Sequence, residues 1–298
     1  MQALFSELPR RATLGLAGMA GLGLALPLRA AAQPPVQALL PDDVLEDYRR
    51  FLAGRAPLTL RDYGGAHSRR DVAEVLLLQQ ALQAGGDTRR VSLGGMPTDA
   101  RLQLELRSGR ALCSATSYWR ADVSEVQHEL LLSAAVLQQG EFEAGLYTLP
   151  GHARALGCRT LAEVRRLTVL SNRDWHVDWQ TLRALGLQHL LHVGNWKQMP
   201  RMLASGRADV LLAPFQPTPD LSLQVDGLRL VPIPGLKIEM HGTRHFLISR
   251  SHPQGQVLRE RLDAGLAELR RQGLLRRAYQ QSGFFNSRVQ DWTVLRAG

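Results

Sequence analysis

The chain has 298 residues and carries 36 Lys and Arg against 27 Asp and Glu, a net charge of +9. Only Lys197 and Lys237 are lysine, the arginines come as scattered pairs such as Arg49-Arg50 and Arg276-Arg277, and no basic block interleaves with aromatics, which excludes a nucleic-acid binder. The two cysteines, Cys113 and Cys158, show no CxxC or Cys/His ligand spacing, which argues against a structural zinc site and leaves a disulfide between them open.

Arg10-Arg11 precede an uncharged Gly-, Ala- and Leu-rich run over residues 12–28, which ends in Ala30-Ala31-Ala32. The small residues suit a signal peptidase, so cleavage is expected after Ala32, leaving 266 residues with a net charge of +7. The run is too short and Gly-rich to be read as a membrane span. The arginine pair suggests the twin-arginine route, although Pro9 and Thr13 depart from its pattern, and the general route stays open. No cysteine follows the run, so no lipid anchor is expected and the product is placed free in the periplasm.

Residues 33–55 read as a leader with Pro34, Pro35 and Pro41, closed by a short helix over 42–52. Alternating apolar positions over 57–63 read as a strand broken by Gly64-Gly65. A helix follows over 72–83, with Asp71 as cap and Val72, Val75, Leu76, Leu78 and Leu82 as its stripe. Then come a strand at 90–93, a helix capped by Thr98 or Asp99 that ends near Gly109, and a strand at 111–116. This rhythm argues for a parallel sheet wrapped by helices.

The second half repeats it. A helix over 160–166 opens on a Thr160/Glu163 capping box, and strands are expected at 167–170, 190–193 and 208–213. Helices are expected over 179–185 and 195–204. A strand at 246–248 and an amphipathic helix over 255–272 complete the chain. No short repeat period appears, so a solenoid is not indicated.

Three pieces carry a resemblance. Met202-Leu203-Ala204-Ser205-Gly206-Arg207-Ala208-Asp209-Val210 is a helix end, a small residue and Gly-Arg-x-Asp leading into a strand. Tyr279 with Gly283-Phe284 ends the last helix, and Gly109 joins a helix to a strand within 102–114. In this order the chain resembles the type 2 periplasmic solute-binding proteins of ABC transporters, near the polar amino-acid-binding group, over about residues 58–285. The resemblance implies an α/β fold of two lobes, each a mixed sheet flanked by helices, joined by two hinge strands. Lobe 1 would comprise 56–147 and 242–298, and lobe 2 148–241. It further implies a monomer that binds a small solute in the cleft and presents it to an inner-membrane permease, with no cofactor and no metal.

Ligands in open α/β sheets sit at the carboxyl ends of the strands, so the loops there are the candidates. In lobe 1 these hold Asp62, Tyr63, Ser114 and Ser117-Tyr118-Trp119-Arg120. The last four match the family's Ser/Thr-x-x-Arg, whose arginine clamps the ligand carboxylate through a planar fork of donors. In lobe 2 they hold Asn172, Arg173, Trp175, Trp196 and Phe215. Amino-acid binders of this family carry an Asp for the ligand ammonium where this chain has Pro214. A carboxylate-bearing or otherwise anionic solute, with no obligatory ammonium, is therefore expected.

Other chemistry finds little support. His241 and His245 could share a strand face with Glu239, but no HExxH-type motif accompanies them, and neither a Gly-x-Ser-x-Gly elbow nor a phosphate loop is present. Asp62 and Glu239 could serve a dehydratase-like cleft enzyme, and a soluble sensor is a third reading, so both stay beside the transport reading.

Overall fold

The computed structural model describes residues 33–296; the expected export signal and its cleavage site lie outside them. The chain opens on β1 (Val36–Pro41) and α1 (Asp42–Leu52), followed by α2 (Arg70–Ala84), β2 (Val91–Met96), α3 (Asp99–Arg107), β3 (Cys113–Trp119) and β4 (Leu130–Leu132). Next come β5 (Phe142–Thr148), α4 (Ala153–Leu156), α5 (Leu161–Val164), β6 (Thr168–Ser171), α6 (His176–Ala184), β7 (His189–His192), α7 (Gln198–Ala204) and β8 (Val210–Pro214). The remainder is β9 (Leu223–Val225), β10 (Leu228–Pro232), β11 (Leu236–Met240), β12 (Arg244–Ser249), α8 (Gly255–Arg271), α9 (Leu274–Gln281) and β13 (Thr293–Val294).

These strands form two sheets. The first runs β2-β1-β3-β12-β4, and the second runs β13-β11-β5-β8-β6-β7, with β10 and β9 branching from β5. Within the first, β1 is parallel to β2 and β3, while β12 returns antiparallel. Within the second, β6 is parallel to β7 and β8, while β5 is antiparallel to β8. The result is the expected α/β chain of two lobes, each a mixed sheet flanked by helices.

Several expectations need correction. The leader is not a leader: residues 36–41 are the strand between β2 and β3. Val36, Ala38, Leu39 and Leu40 are buried, so the strand shows an apolar run without the alternation that marks a half-buried strand. Residues 57–63 form turns and irregular backbone, and their apolar alternation instead inserts Leu60 and Tyr63 against the helices. Asp71 does not cap α2. The N-cap is Arg69, and Asp71 lies one residue inside the helix, where it pairs with Arg69 and Arg70. Helix α6 has Trp175 at its N-cap. The capping residues Thr98 and Thr160 hold as expected, the latter with a complete box through Glu163.

The lobe borders shift as well. β5 pairs throughout with strands of the second sheet, so the chain crosses before Phe142 rather than at Tyr147. After α9 the chain returns to the second sheet, where β13 lies parallel to β11, so the final residues do not stay with the first lobe.

Packing explains the motifs. Helix α2 lies between the first sheet and α8 and is buried from Val72 to Leu82, each large aliphatic contributing about 1.5–3 kcal/mol. The two helices touch backbone to backbone: a Cβ on Gly265 would fall 1.7 Å from the Ala81 carbonyl oxygen, so only glycine fits there. In the Gly-Arg-x-Asp segment, Asp209 accepts hydrogen bonds from Thr168 N at 2.7 Å and pairs with His152 Nε2 at 2.9 Å, which ties the starts of β6 and α4 to β8. Cys113 and Cys158 are both free and buried, which closes the disulfide question.

Candidate functional site

The carboxyl ends of β2, β3 and β6 deliver three loops and the helices α3 and α6 to the junction of the two lobes. The crossing segments meet there too. Arg244, the first residue of β12, pairs with Leu137, and its backbone is bonded to Val136 N at 2.8 Å and to Leu137 O at 3.1 Å. Its side chain is 8% exposed and aims at the end of β3. Nε donates to Ser117 Oγ at 3.0 Å and Nη2 donates to Ser117 O. The guanidinium lies 4.9 Å from the Trp119 ring centre and 5.7 Å from that of Phe142, a cation–π setting.

Below it, Glu74 of α2 is fully buried and accepts from Ser117 N and Ser117 Oγ, both at 2.7 Å, and from Tyr279 OH at 3.2 Å. Arg70 pairs with Asp71 and lies 5.3 Å from Phe142 and 5.9 Å from Phe284. Arg69 binds Asp43, Asp47 and Asp71 at 2.8–3.0 Å. The sequence motif Tyr279…Phe284 thus builds the floor of this junction.

The second lobe closes onto the first through three hydrogen bonds. Trp119 Nε1 donates to Asp178 Oδ1 at 3.2 Å, Trp175 Nε1 donates to Asp99 Oδ2 at 3.3 Å, and Val177 N donates to Asp122 Oδ1 at 3.3 Å. Asp99 also accepts from Tyr118 OH at 2.8 Å. Five carboxylates, Asp71, Glu74, Asp99, Asp122 and Asp178, therefore share the junction with the guanidiniums of Arg70 and Arg244. Every one of them feels Arg244 electrostatically.

The protonation of these groups divides them. Burial opposes the charge on Asp71, but Arg70 and Arg69 overcome it and hold its carboxyl at about 2. Burial raises Asp99 and Asp178. Burial, reinforced by the neighbouring charge of Asp178, pushes Asp122 up to about 7. Asp99, Asp122 and Asp178 nonetheless remain half-buried, and the Asp71 side chain keeps 18% exposure, so solvent reaches them. Asp99, Asp122 and Asp178 thus form an acidic cluster at the junction, beside the guanidinium of Arg244.

The residues singled out in the sequence fall into three groups. Ser117, Trp119 and Trp175 lie at the junction, and Trp196 stands beside Trp175 at 6.4 Å. Asn172 is buried at the end of β6 and turns its carbonyl oxygen to Asp174 N. Others lie away from it. Tyr63 is buried and donates to Gln80 at 2.6 Å, while Asp62 is exposed and holds Gly64 N. Ser114 is consumed inside the first sheet by Thr116 O and Leu247 N. Phe215 packs on Trp292, and Arg173 is exposed beside Trp179. Arg120 is exposed, its backbone N–H is bonded to Thr243 O, and among the described residues its guanidinium makes no hydrogen bond or ion pair. Arg70, Asp71, Asp99, Asp122, Asp178 and Arg244 went unassigned as ligand groups. Three of them sit at or next to a first helical turn after a strand, which is the signal that points to a cleft, and Arg244 lies between His241 and His245.

No family model matches the chain, and no curated protein matches it. Among solved structures it is similar to an amino acid ABC transporter substrate-binding protein, AbpA, from Streptococcus pneumoniae bound to L-arginine (14% identity, 84% of this chain, 95% of that chain, TM-score 0.52). It is also similar to the periplasmic VFT2 domain of BvgS from Bordetella pertussis (16% identity, 83% and 93% covered, TM-score 0.52). A third likeness is to an ancestral amino acid-binding protein, a precursor of cyclohexadienyl dehydratase (12% identity, 84% and 95% covered, TM-score 0.51). At such identities it is architecture that is shared: the chain has the two-lobed type 2 periplasmic-binding fold.

Proposed function

We propose that this chain is an exported, monomeric solute-binding protein that closes in the periplasm on a small solute bearing a cationic group and a carboxylate, and hands it unaltered to an inner-membrane permease. The observation that carries this reading is the excess of carboxylates around Arg244. With all groups ionised, the five negative charges face the three positive charges of Arg69, Arg70 and Arg244, and a cation from the solute relieves the remaining repulsion. The carboxylate expected from the sequence keeps a partner, but Arg244 takes the role first given to Arg120. Among the similar structures, the AbpA protein and an ancestral arginine-binding protein are bound to arginine, which agrees with a ligand that carries a carboxylate and an excess of cationic groups.

Calorimetry at pH 8 tests it. L-arginine is expected to bind, and L-glutamate at least tenfold more weakly, because its second carboxylate would meet the aspartates. A preference for glutamate removes the reading.

A second reading, a cleft enzyme, is favoured by Asp122, whose carboxyl near pH 7 suits a general acid. NMR of the bound solute after long incubation separates the two. An unchanged solute supports carriage, and a new product supports catalysis.

A further inference from the structure

We propose that a second pocket, behind the hinge, binds a small polyanion such as a tricarboxylate, and that its occupancy is linked to the cleft. A cavity of about 770 Å³ lies between the first crossing segment, β11, α9 and the tail that follows α9. The ring pair Phe142–Phe284, 4.7 Å between centres, connects this cavity to the lobe junction, since Arg70 lies over both rings while Phe284 lines the cavity.

Its charges are unevenly used. Lys237 is spent, because Nζ pairs with Glu143 at 2.8 Å and donates to Val289 O and Gln290 O. The Glu141 carboxylate is turned back onto Gln138 N at 2.7 Å. Arg276 and Arg288 meet no carboxylate among the described residues. Arg276 lies over Phe285 at 5.8 Å, and among the described residues the Arg288 guanidinium donates only to Thr218 O at 2.9 Å. The side-chain amides of Gln280 and Gln290 also line the cavity without a described hydrogen bond. Of the two lining acids Glu143 is matched by Lys237, so two guanidiniums and two amides outweigh the remaining acid Glu141, and the pocket presents donors to an acceptor-rich ligand of more than one negative charge.

The walls belong to both lobes. Gly283, at φ +78°, passes so close to the second lobe that an added Cβ would lie 2.1 Å from Pro217 N. A ligand seated there touches α9 on one side and the hinge strands on the other. Its binding free energy then differs between open and closed lobes, and linkage makes the effect reciprocal.

Calorimetry of the purified chain with citrate at low ionic strength tests the site. The expected result is one saturable site, weakened at least tenfold in the double variant Arg276→Gln/Arg288→Gln and retained in Arg120→Gln, which removes an exposed guanidinium elsewhere. No saturable binding, equal affinity in the double variant, or loss in Arg120→Gln overturns the site. The linkage rests on the cleft reading. Saturating citrate is expected to change L-arginine affinity at least threefold in the wild type and not in the double variant, and an equal affinity overturns it. Should L-arginine not bind at all, that failure belongs to the cleft reading, while the citrate arm still decides the pocket.

Discussion

Asp122 offers the sharpest handle on the cleft. Its carboxyl, raised to about 7 by burial and by Asp178, is largely protonated in the empty cleft at pH 6. A cationic solute beside it favours the ionised form and pulls the value back toward the ordinary range near 4. Binding below pH 7 must therefore release a proton. Well below 7 each further pH unit then costs about 1.4 kcal/mol, and because the group is already half protonated at pH 7 the affinity for L-arginine should fall by about 50-fold between pH 7 and pH 5. Above pH 8 it should level off. Calorimetry in two buffers of different ionisation enthalpy reads the proton directly, with close to one released near pH 6 and none near pH 9. In Asp122→Asn the dependence should flatten and the affinity at pH 8 should fall by about 1–3 kcal/mol. Affinity that rises as the pH falls, or an unchanged pH profile in the variant, would refute the electrostatic reasoning.

Other outcomes follow from the same geometry. Without solute, Asp122 binds more protons folded than unfolded between about pH 4 and 7, so its contribution to stability falls as pH rises through that window, and Asp122→Asn should raise the unfolding free energy at pH 8 by on the order of 1–3 kcal/mol, as denaturant titration would read. Asp71, held at about 2, behaves oppositely: its stabilisation is present above its unfolded value near 4 and is lost as pH falls toward 2, and Asp71→Asn should cost about 2 kcal/mol at pH 7. Arg120→Ala should leave L-arginine affinity within about 0.5 kcal/mol, and a larger loss in calorimetry would return the carboxylate clamp to that residue. Because Trp119 and Trp175 each hydrogen-bond across the lobes, solute should change tryptophan emission, and a flat response at saturating L-arginine counts against closure. Gly265→Ala should destabilise by more than about 3 kcal/mol, since its Cβ has no room beside Ala81 O, and an unchanged melting temperature would contradict that packing.

Much of the architecture is legible in the chain because the signals are local. The Thr160/Glu163 box, the glycines that stop helices, and the apolar strand before Gly206-Arg207-Ala208-Asp209 each report on a few neighbours, and those elements stand close to where they were expected. Strand β1 escaped because, buried on both faces, it lacks a period-2 pattern, and the flanking prolines imitate a linker. Residues 57–63 deceived in the opposite direction, their alternation serving helix contacts through Leu60 and Tyr63.

The site was less legible for a different reason. Ser117, Trp119 and Trp175 follow from strand ends, which topology fixes. The choice of guanidinium does not. Arg120 and Arg244 flank the same β3–β12 pair, and only the register Arg244↔Trp119 turns one inward onto Ser117 while the other stays exposed. The acidic residues were hidden by their second use. Asp71 and Asp99 look like helix-start residues of the ordinary kind, and only the approach of α6 from the second lobe turns Asp99, Asp122 and Asp178 into one cluster.

The measurement that tests the central claim most directly is a crystal structure grown with L-arginine at pH 8. The account predicts density between the lobes, the ligand carboxylate against Arg244, and its cationic groups within hydrogen-bond distance of at least two of Asp99, Asp122 and Asp178. Density elsewhere on the chain, or a ligand carboxylate facing those aspartates, would contradict it.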